Sequence, residues 1–263
     1  MTKKGWIFLI LTTILALGVI LGGFVFVARN FTIRDYDEDV IDSSLIVEID
    51  DYVKSALDGK SMFSFSDATL TSQINKQFST IRVVSIERTF PDVVKVIVRQ
   101  RVESLAIATQ DGYLVADFQY ETKTITPIRY QSGIAPQDLV LVEGLDIGEY
   151  VFGSPLSNSE SINKLSSILK IMYDVGYADT LPHIVRCIDV NYTTTTSAIY
   201  MEGVGDNLTA LVFDNNTQIY DQVLNLLSFY SSDDGSEYRE GYILESRFNQ
   251  SSGKYEVITY TRT

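Results

Sequence analysis

Cysteine and histidine are almost absent from this chain of 263 residues, which contains one of each, Cys187 and His183. A lone cysteine cannot form a disulfide within the chain, and a chain of this length can bury enough apolar surface to fold without one. A tetrahedral zinc site would need several carboxylates beside one thiol and one imidazole, so we expect no structural metal.

Motifs of the common enzyme classes are also absent. The chain has no phosphate-binding loop, no nucleophile elbow and no Cys-x-x-Cys motif. His183 and Cys187 lie four positions apart, in a segment that we predict to run from a loop into a strand. Residues four apart on a strand are about 13 Å apart, too far for a nucleophile and its base. We therefore expect no catalytic residue and no cofactor, and we predict that Cys187 is buried.

Acidic residues outnumber basic ones by 34 to 21, which gives a formal net charge of −13. A surface this negative repels nucleic acid and anionic lipid headgroups, so the partner should be a protein, a cation or a neutral polymer. Two acidic runs, 35–39 and 231–235, could bind calcium, but the second lacks the spacing and distal glutamate of an EF-hand loop. We interpret both runs as solvated surface.

A long run without charge occupies 6–28, after Lys3 and Lys4. As a helix it would be about 33 Å long, enough to cross a membrane, whereas the apolar core of a cleaved signal peptide is shorter. The sequence therefore predicts a cytoplasmic tail over 1–5 and a transmembrane helix over 6–28. Long segments translocate largely regardless of their charge, so we expect the rest of the chain outside the cell.

The segment 31–102 has the pattern of a β-α-α-β-β module. A strand over 31–40 is followed by a helix capped by Ser43 or Ser44 and ended by Gly59. A second helix begins at Ser66 or Asp67, and two strands follow over 82–90 and 93–102. Their apolar positions alternate, so Val94, Val96 and Val98 should share the face toward the helices.

The remainder, 103–263, predicts a mixed, mostly-β domain with two helices. Asp111-Gly112 is a strong hairpin signal, and the helices should cover about 159–175 and the stretch after Asp214 or Asn215. The last two strands should run over 242–248 and 255–262. The fold class is therefore α+β, with a boundary between the two domains near Val102.

The most specific pattern is a turn between the two predicted helices together with the hairpin after them. The turn reads GKSMF at 59–63, and the hairpin reads VSIERTFPDVVKVIVRQR at 84–101. Shorter stretches read LVAD at 114–117, LVEG at 141–144 and LESRF at 244–248. Together they resemble the FtsQ/DivIB family of bacterial cell-division proteins, in which a POTRA domain precedes a C-terminal β domain. Val102 and Glu103 stand where the family has a proline, and Ala116 interrupts the family's Leu-Val-Asp.

The resemblance implies a non-enzymatic divisome scaffold at the septum, held in the bacterial cell membrane by a single pass. Its partners would be membrane-anchored coiled-coil proteins of the FtsB/DivIC and FtsL type, and it would help control septal peptidoglycan synthesis. A partner segment would add to the last strands by β-augmentation. Arg247 and Phe248 match the family's partner-facing arginine and aromatic residue. Further candidates in the same hairpin are Tyr242, Tyr255 and Tyr260.

Other interpretations stay open at the level of sequence. Sixteen tyrosines fit either ordinary strand propensity or a binding surface. A membrane-anchored extracellular enzyme that acts on the cell wall is the alternative function, and it would need a converging set of His, Cys, Ser or paired carboxylates. An outer-membrane assembly protein would show several POTRA repeats or a barrel, and the sequence pattern predicts neither.

Overall fold

The chain folds into two units, Met1–Arg101 and Val102–Thr263. The computed structural model describes residues 3–24, 26–38, 40–177, 180–202, 207–215 and 218–261. The first two residues of the predicted tail and Arg262 of the predicted last strand therefore lie outside the described residues.

The apolar run near the start of the chain does not form a single element. Helix α1 (Lys3–Phe24) covers its first part and also includes Lys3, Lys4 and Gly5 of the predicted tail. In the part of the chain that the structure describes, no helix is long and apolar enough to cross a membrane. The predicted transmembrane helix over 6–28, and with it that part of the predicted fold class, is wrong.

The physical reason is that the end of this run belongs to the folded part of the first unit. The Phe26 ring packs edge-to-face on the rings of Phe63 and Phe90, with centroids 5.7 and 5.6 Å away. Ala28 is fully buried, and its backbone N–H donates to the carbonyl of Lys60. One uninterrupted apolar run can therefore be a helix in its first part and a packed segment of a folded unit in its last part. The hydropathy of the sequence does not show where the change occurs.

The first unit has the element order β-α-α-β-β after α1. The elements are β1 (Asn30–Asp35), α2 (Ser43–Leu57), α3 (Asp67–Gln77), β2 (Ile81–Thr89) and β3 (Val93–Gln100). The sheet order is β1-β3-β2, with β1 parallel and β2 antiparallel to the central β3. The crossover from β1 to β3 contains both helices, which is how a parallel pair of strands is normally connected.

Periodicity explains how this unit packs. On α2 the buried residues Ile49, Val53 and Leu57 recur every four positions, and on α3 Leu70 and Ile74 do the same. Val94, Val96 and Val98 are fully buried in the same cluster, which confirms their predicted common face. The cap of α2 differs from the prediction. Asp42, rather than Ser43 or Ser44, is the N-cap, and its carboxylate accepts from the Ser44 N–H at 2.7 Å.

The second unit is built on one nine-stranded sheet with the order β12-β11-β10-β9-β8-β7-β4-β5-β6. Its strands are β4 (Leu105–Ala108), β5 (Gly112–Gln119), β6 (Thr124–Ser132), β7 (Val140–Glu143), β8 (Val185–Asp189), β9 (Thr196–Met201), β10 (Thr209–Asp214), β11 (Tyr242–Asn249) and β12 (Lys254–Thr261). Three pairs, β4–β7, β7–β8 and β10–β11, are parallel, and the others are antiparallel.

The helices of this unit are α4 (Glu160–Asp174), α5 (Leu181–Ile184) and α6 (Ile219–Ser231), and a 3-10 turn covers Ser236–Tyr238. Leu165 and Leu169 of α4 and Val223 and Leu226 of α6 share one buried cluster with alternate residues of the strands. Both long helices therefore cover the same face of the sheet. The four-residue α5 lies where the sequence predicted a loop entering a strand.

Candidate partner-binding edge

The strand predicted to receive a partner lies at an edge of the sheet. β12 pairs antiparallel with β11 in the register Tyr242↔Thr261, Arg247↔Glu256 and Phe248↔Tyr255. β11 in turn pairs in parallel with β10. Within the described ranges β12 has a neighbouring strand on one side only. An edge strand of this kind presents backbone groups with which another chain can pair.

The opposite edge of the same sheet is partly covered. β6 is its last strand, and the segment after β7 runs along it. The N–H groups of Gly153 and Leu156 donate to the carbonyls of Pro127 and Ile125 at 2.8 and 2.9 Å. Pro127 also lacks an N–H to offer to an incoming strand. The first half of β6 is therefore blocked, which leaves β12 as the more accessible of the two edges.

Arg247 and Tyr260 lie together on one side of the terminal hairpin. One guanidinium nitrogen of Arg247 donates to both carboxylate oxygens of Glu245, at 3.1 and 3.2 Å, and to the Tyr260 hydroxyl at 3.0 Å. The hydrogen bond that Arg247 donates to Glu245 is the main cause that raises the pKa of Arg247. The guanidinium is exposed and charged at every physiological pH, so it can exchange Glu245 for a partner carboxylate.

Phe248 lies on the other side of the hairpin, because successive side chains of a strand point to opposite faces. Its side chain is 50% exposed, and its ring packs at 65° on the ring of its register partner Tyr255, with centroids 5.3 Å apart. A residue of the core would be far less exposed than this. The opposite orientation of Arg247 and Phe248 follows from strand periodicity and could have been read from the sequence.

Tyr242 is separate from the other candidates. Its ring packs edge-to-face on Tyr238, 5.2 Å between centroids, and Tyr238 packs against the helix-covered core. The structure thus brings Arg247 and Tyr260 together on one face and Phe248 and Tyr255 on the other, with Tyr242 at the far end of β11. Asn225 of α6, which the sequence analysis did not identify, donates its amide to the Tyr255 carbonyl at 3.1 Å and holds β12 in place.

Cys187 is buried, as predicted, at 7% exposure on β8, whereas His183 is exposed on α5. Burial is the main cause that raises the pKa of the Cys187 thiol to about 12, and the negative charges of Glu143 and Asp189 add to it. A thiol in this state holds its proton at neutral pH and is a poor nucleophile. The geometry therefore gives no support to a thiol enzyme.

We expect Cys187 in the native chain to react with iodoacetamide at pH 8 at least about a hundredfold more slowly than in urea, since only the thiolate reacts. The reaction can be followed by mass spectrometry. Equal rates of reaction with and without urea would contradict the burial of Cys187.

The stability of the protein should also depend on the titration of this thiol. Because the native pKa of Cys187 lies above the ordinary value of 9.0, its contribution to stability is present below pH 9 and decreases between pH 9 and about 12.

A cavity of about 430 Å³ beside α4 is another place where a catalytic site could lie. Its polar wall contains Lys170, whose ammonium donates to both Asp174 oxygens at 2.6 and 2.9 Å, and the Tyr120 hydroxyl donates to the same carboxylate at 2.6 Å. The pKa of Lys170 is raised by the hydrogen bond to Asp174, and that of Asp174 is lowered by Lys170. Both groups are thus fully charged at neutral pH, unlike a catalytic acid or base.

The acidic residues of the run at 35–39 have structural roles. Asp35 accepts hydrogen bonds from the backbone of Val40 and Ile41, and Asp37 forms a two-bond ion pair with Arg99 at 2.6 Å. Asp39 lies outside the described residues. Across the described part of the chain, no group of three or more His, Cys, Asp or Glu is arranged to hold a metal ion.

Comparison with known proteins adds no assignment to this geometry. No protein-family model matches the chain, and no curated protein matches it. The resemblance to the FtsQ/DivIB family therefore rests on the sequence stretches quoted above.

Proposed function

We propose that the protein is a non-enzymatic scaffold of the bacterial division machinery that docks membrane-anchored coiled-coil partners of the FtsB/DivIC and FtsL type. Through them it helps control septal peptidoglycan synthesis, and it acts at the cell membrane of the division septum. The observation that carries the proposal is the open edge of β12, with Arg247, Phe248 and Tyr260 exposed beside it.

The mechanism is the addition of one strand to the sheet. An extended partner segment pairs with the outer edge of β12, apart from the Tyr255 carbonyl, which already accepts from Asn225; the eight residues of the strand are about 27 Å long. Backbone hydrogen bonds supply affinity that is largely independent of sequence. Alternate side chains of the partner then lie over opposite faces of the hairpin, so the partner is recognised on both faces at once.

The two faces select different partner residues. On one face, a partner carboxylate forms a bidentate pair with Arg247 and displaces Glu245 from it. On the other face, an apolar partner residue packs on the half-exposed Phe248 and on Tyr255, and such aromatic anchors dominate interface energies. The proposed partner segment is therefore an extended strand that presents an acid and an apolar residue on opposite sides.

We expect Phe248→Ala to weaken binding of the FtsB/DivIC-type protein from the same organism by about 30-fold or more, equivalent to about 2 kcal/mol. Arg247→Glu should weaken binding further, because it places the new glutamate against the carboxylate of the partner. The measurement is isothermal titration of the full chain, with circular dichroism to confirm folding. Tyr220→Ala, which truncates an equally exposed aromatic on α6, and Lys76→Glu, an exposed charge reversal on α3, are matched controls.

Loss of binding in both edge variants but in neither control, with the fold retained, would support the proposal. Binding that persists in both edge variants would refute it. In dividing cells a fluorescent fusion of the wild-type chain should accumulate at the septum, and uniform labelling along the cell would argue against the proposed location.

A further inference from the structure

The face of the nine-stranded sheet that points away from α4 and α6 has its own apolar surface. On β10, Leu211 and Phe213 point to the helices, so Ala210 and Val212 point the other way. Ala198, Ala210 and Val212 form a separate small cluster, against which Tyr200 and Ile243 pack. None of the described helices contributes a residue to this cluster. We call this surface the far face.

The far face is organised in rows that follow the register of the strands. One row crosses five neighbouring strands, from β8 to β12, and consists of Cys187, Tyr200, Ala210, Ile243 and Tyr260. At roughly 4.8 Å between strands the row is about 19 Å long. Its two small residues, Cys187 and Ala210, are buried, whereas the two tyrosines and the isoleucine are larger and stand above them. Tyr192, 40% exposed, extends the surface, with its ring 6.4 Å from that of Tyr200.

The next row carries two acidic residues, one at β8 and one at β11. It runs through Asp189, Ala198, Val212, Glu245 and Ile258. Asp189 also faces Glu143 on β7 directly, and like charges in this position repel each other. Among the described residues neither of these two carboxylates has an ion pair. Both are close enough to add to the raised pKa of Cys187 in the first row.

The far face therefore combines an apolar row with negative charge beside it. On β8 to β12 strand alternation places the carboxylates Asp189, Asp214, Glu245 and Glu256 on it, together with the cations Arg247 and Lys254, and Arg247 is paired with Glu245. Sheets in proteins of this architecture are normally covered on an apolar face by helices. A segment that covers this face favourably must supply apolar side chains, which pack on the apolar row, and positive charges, which face the carboxylates beside that row.

We propose that the far face docks a basic amphipathic helix of another protein, whose apolar side lies on Tyr200 and Ile243 and whose lysines or arginines face Glu143 and Asp189. This site is distinct from the β12 edge, because it uses side chains of β7 to β11 rather than the backbone of β12. It does not depend on the proposed division function, although Tyr260 lies at the border of both sites.

The test uses two synthetic helical peptides of about 18 residues, about 27 Å long, with the same leucine face and either lysine or glutamate along its border. Binding to the full-length chain is measured by fluorescence anisotropy at low and moderate salt. The lysine peptide should bind and the glutamate peptide should not. Glu143→Lys and Tyr192→Ser, both at exposed positions, should each weaken binding of the lysine peptide by about fivefold or more.

Matched controls separate this site from general attraction to an acidic protein. Glu121→Lys makes the same charge change in the β5–β6 turn, and Tyr220→Ser removes an exposed tyrosine from α6. Both should leave binding within about twofold of wild type. Equal loss in Glu143→Lys and Glu121→Lys, binding of both peptides alike, or no binding of the lysine peptide would each overturn the proposal. Sedimentation that shows a dimer lost in Tyr192→Ser would assign the face to a second copy and also overturn it.

Discussion

Val96→Asp should unfold the first unit. Val96 is fully buried on the central strand β3, in the cluster that contains Ile49 and Val53 of α2. A carboxylate in this position would have no partner, and we expect a loss of about 4 kcal/mol or more in the free energy of unfolding. Urea denaturation of the full chain, followed by circular dichroism and by proteolysis to identify the unit that unfolds, measures the effect.

The loss of stability caused by Val96→Asp should depend on pH and should be smaller in acid. Burial raises the pKa of the new carboxyl group in the folded state above its value in the unfolded chain. The stabilising effect of its protonation is therefore fully present below about pH 4 and is lost as the pH rises. The difference from wild type should shrink as the pH is lowered from 7 toward 4.

Val84→Asp is the matched control, since Val84 is 45% exposed at the bulge of the neighbouring strand β2. It should change the free energy of unfolding by less than about 1 kcal/mol. An unchanged denaturation midpoint in Val96→Asp would mean that Val96 does not face the helices.

Phe213→Ala should produce the largest loss of stability in the second unit. Phe213 is among the largest fully buried side chains and lies between β10 and the helices α4 and α6. Removal of such a ring costs about 3–5 kcal/mol, because both the buried surface and the packing around it are lost. The same urea denaturation, with proteolysis of the second unit, gives the value.

Phe248→Ala is the internal comparison for this prediction. Because Phe248 is half exposed, its truncation should cost about 1 kcal/mol or less in stability while it weakens partner binding. If the two phenylalanine variants were equally destabilised, Phe248 would be a core residue and the proposed edge would lose its aromatic anchor.

Local patterns predicted local structure well in this chain. The alternation of Val94, Val96 and Val98 was enough to identify the buried face of β3, because strand periodicity is set by backbone geometry alone. The start of α2 was predicted one or two residues late, since aspartate and serine are both favoured N-cap residues and three of them follow one another at 42–44.

Longer-range features could not be predicted in this way. Apolarity does not show that Phe26 and Ala28 pack into the first unit rather than extend α1, because that depends on Phe63, Phe90 and Lys60, far along the chain. The parallel pairing of β10 with β11 across α6 is equally non-local. The edge position of β12, on which the candidate site depends, was only suggested by its place in the sequence.

The two edges of the large sheet differ in how well they can accept another strand, and this limits how copies of the protein can assemble through it. A strand can join at β12, but the first half of β6 already has its carbonyls occupied by Gly153 and Leu156. Copies that met through this sheet could pair β12 with β12, and the growth would then stop, because open-ended stacking requires two free edges on every copy. Within the described residues β12 is therefore the one edge of the large sheet that is accessible along the strand, so crowding at high local density should favour pairs over fibres.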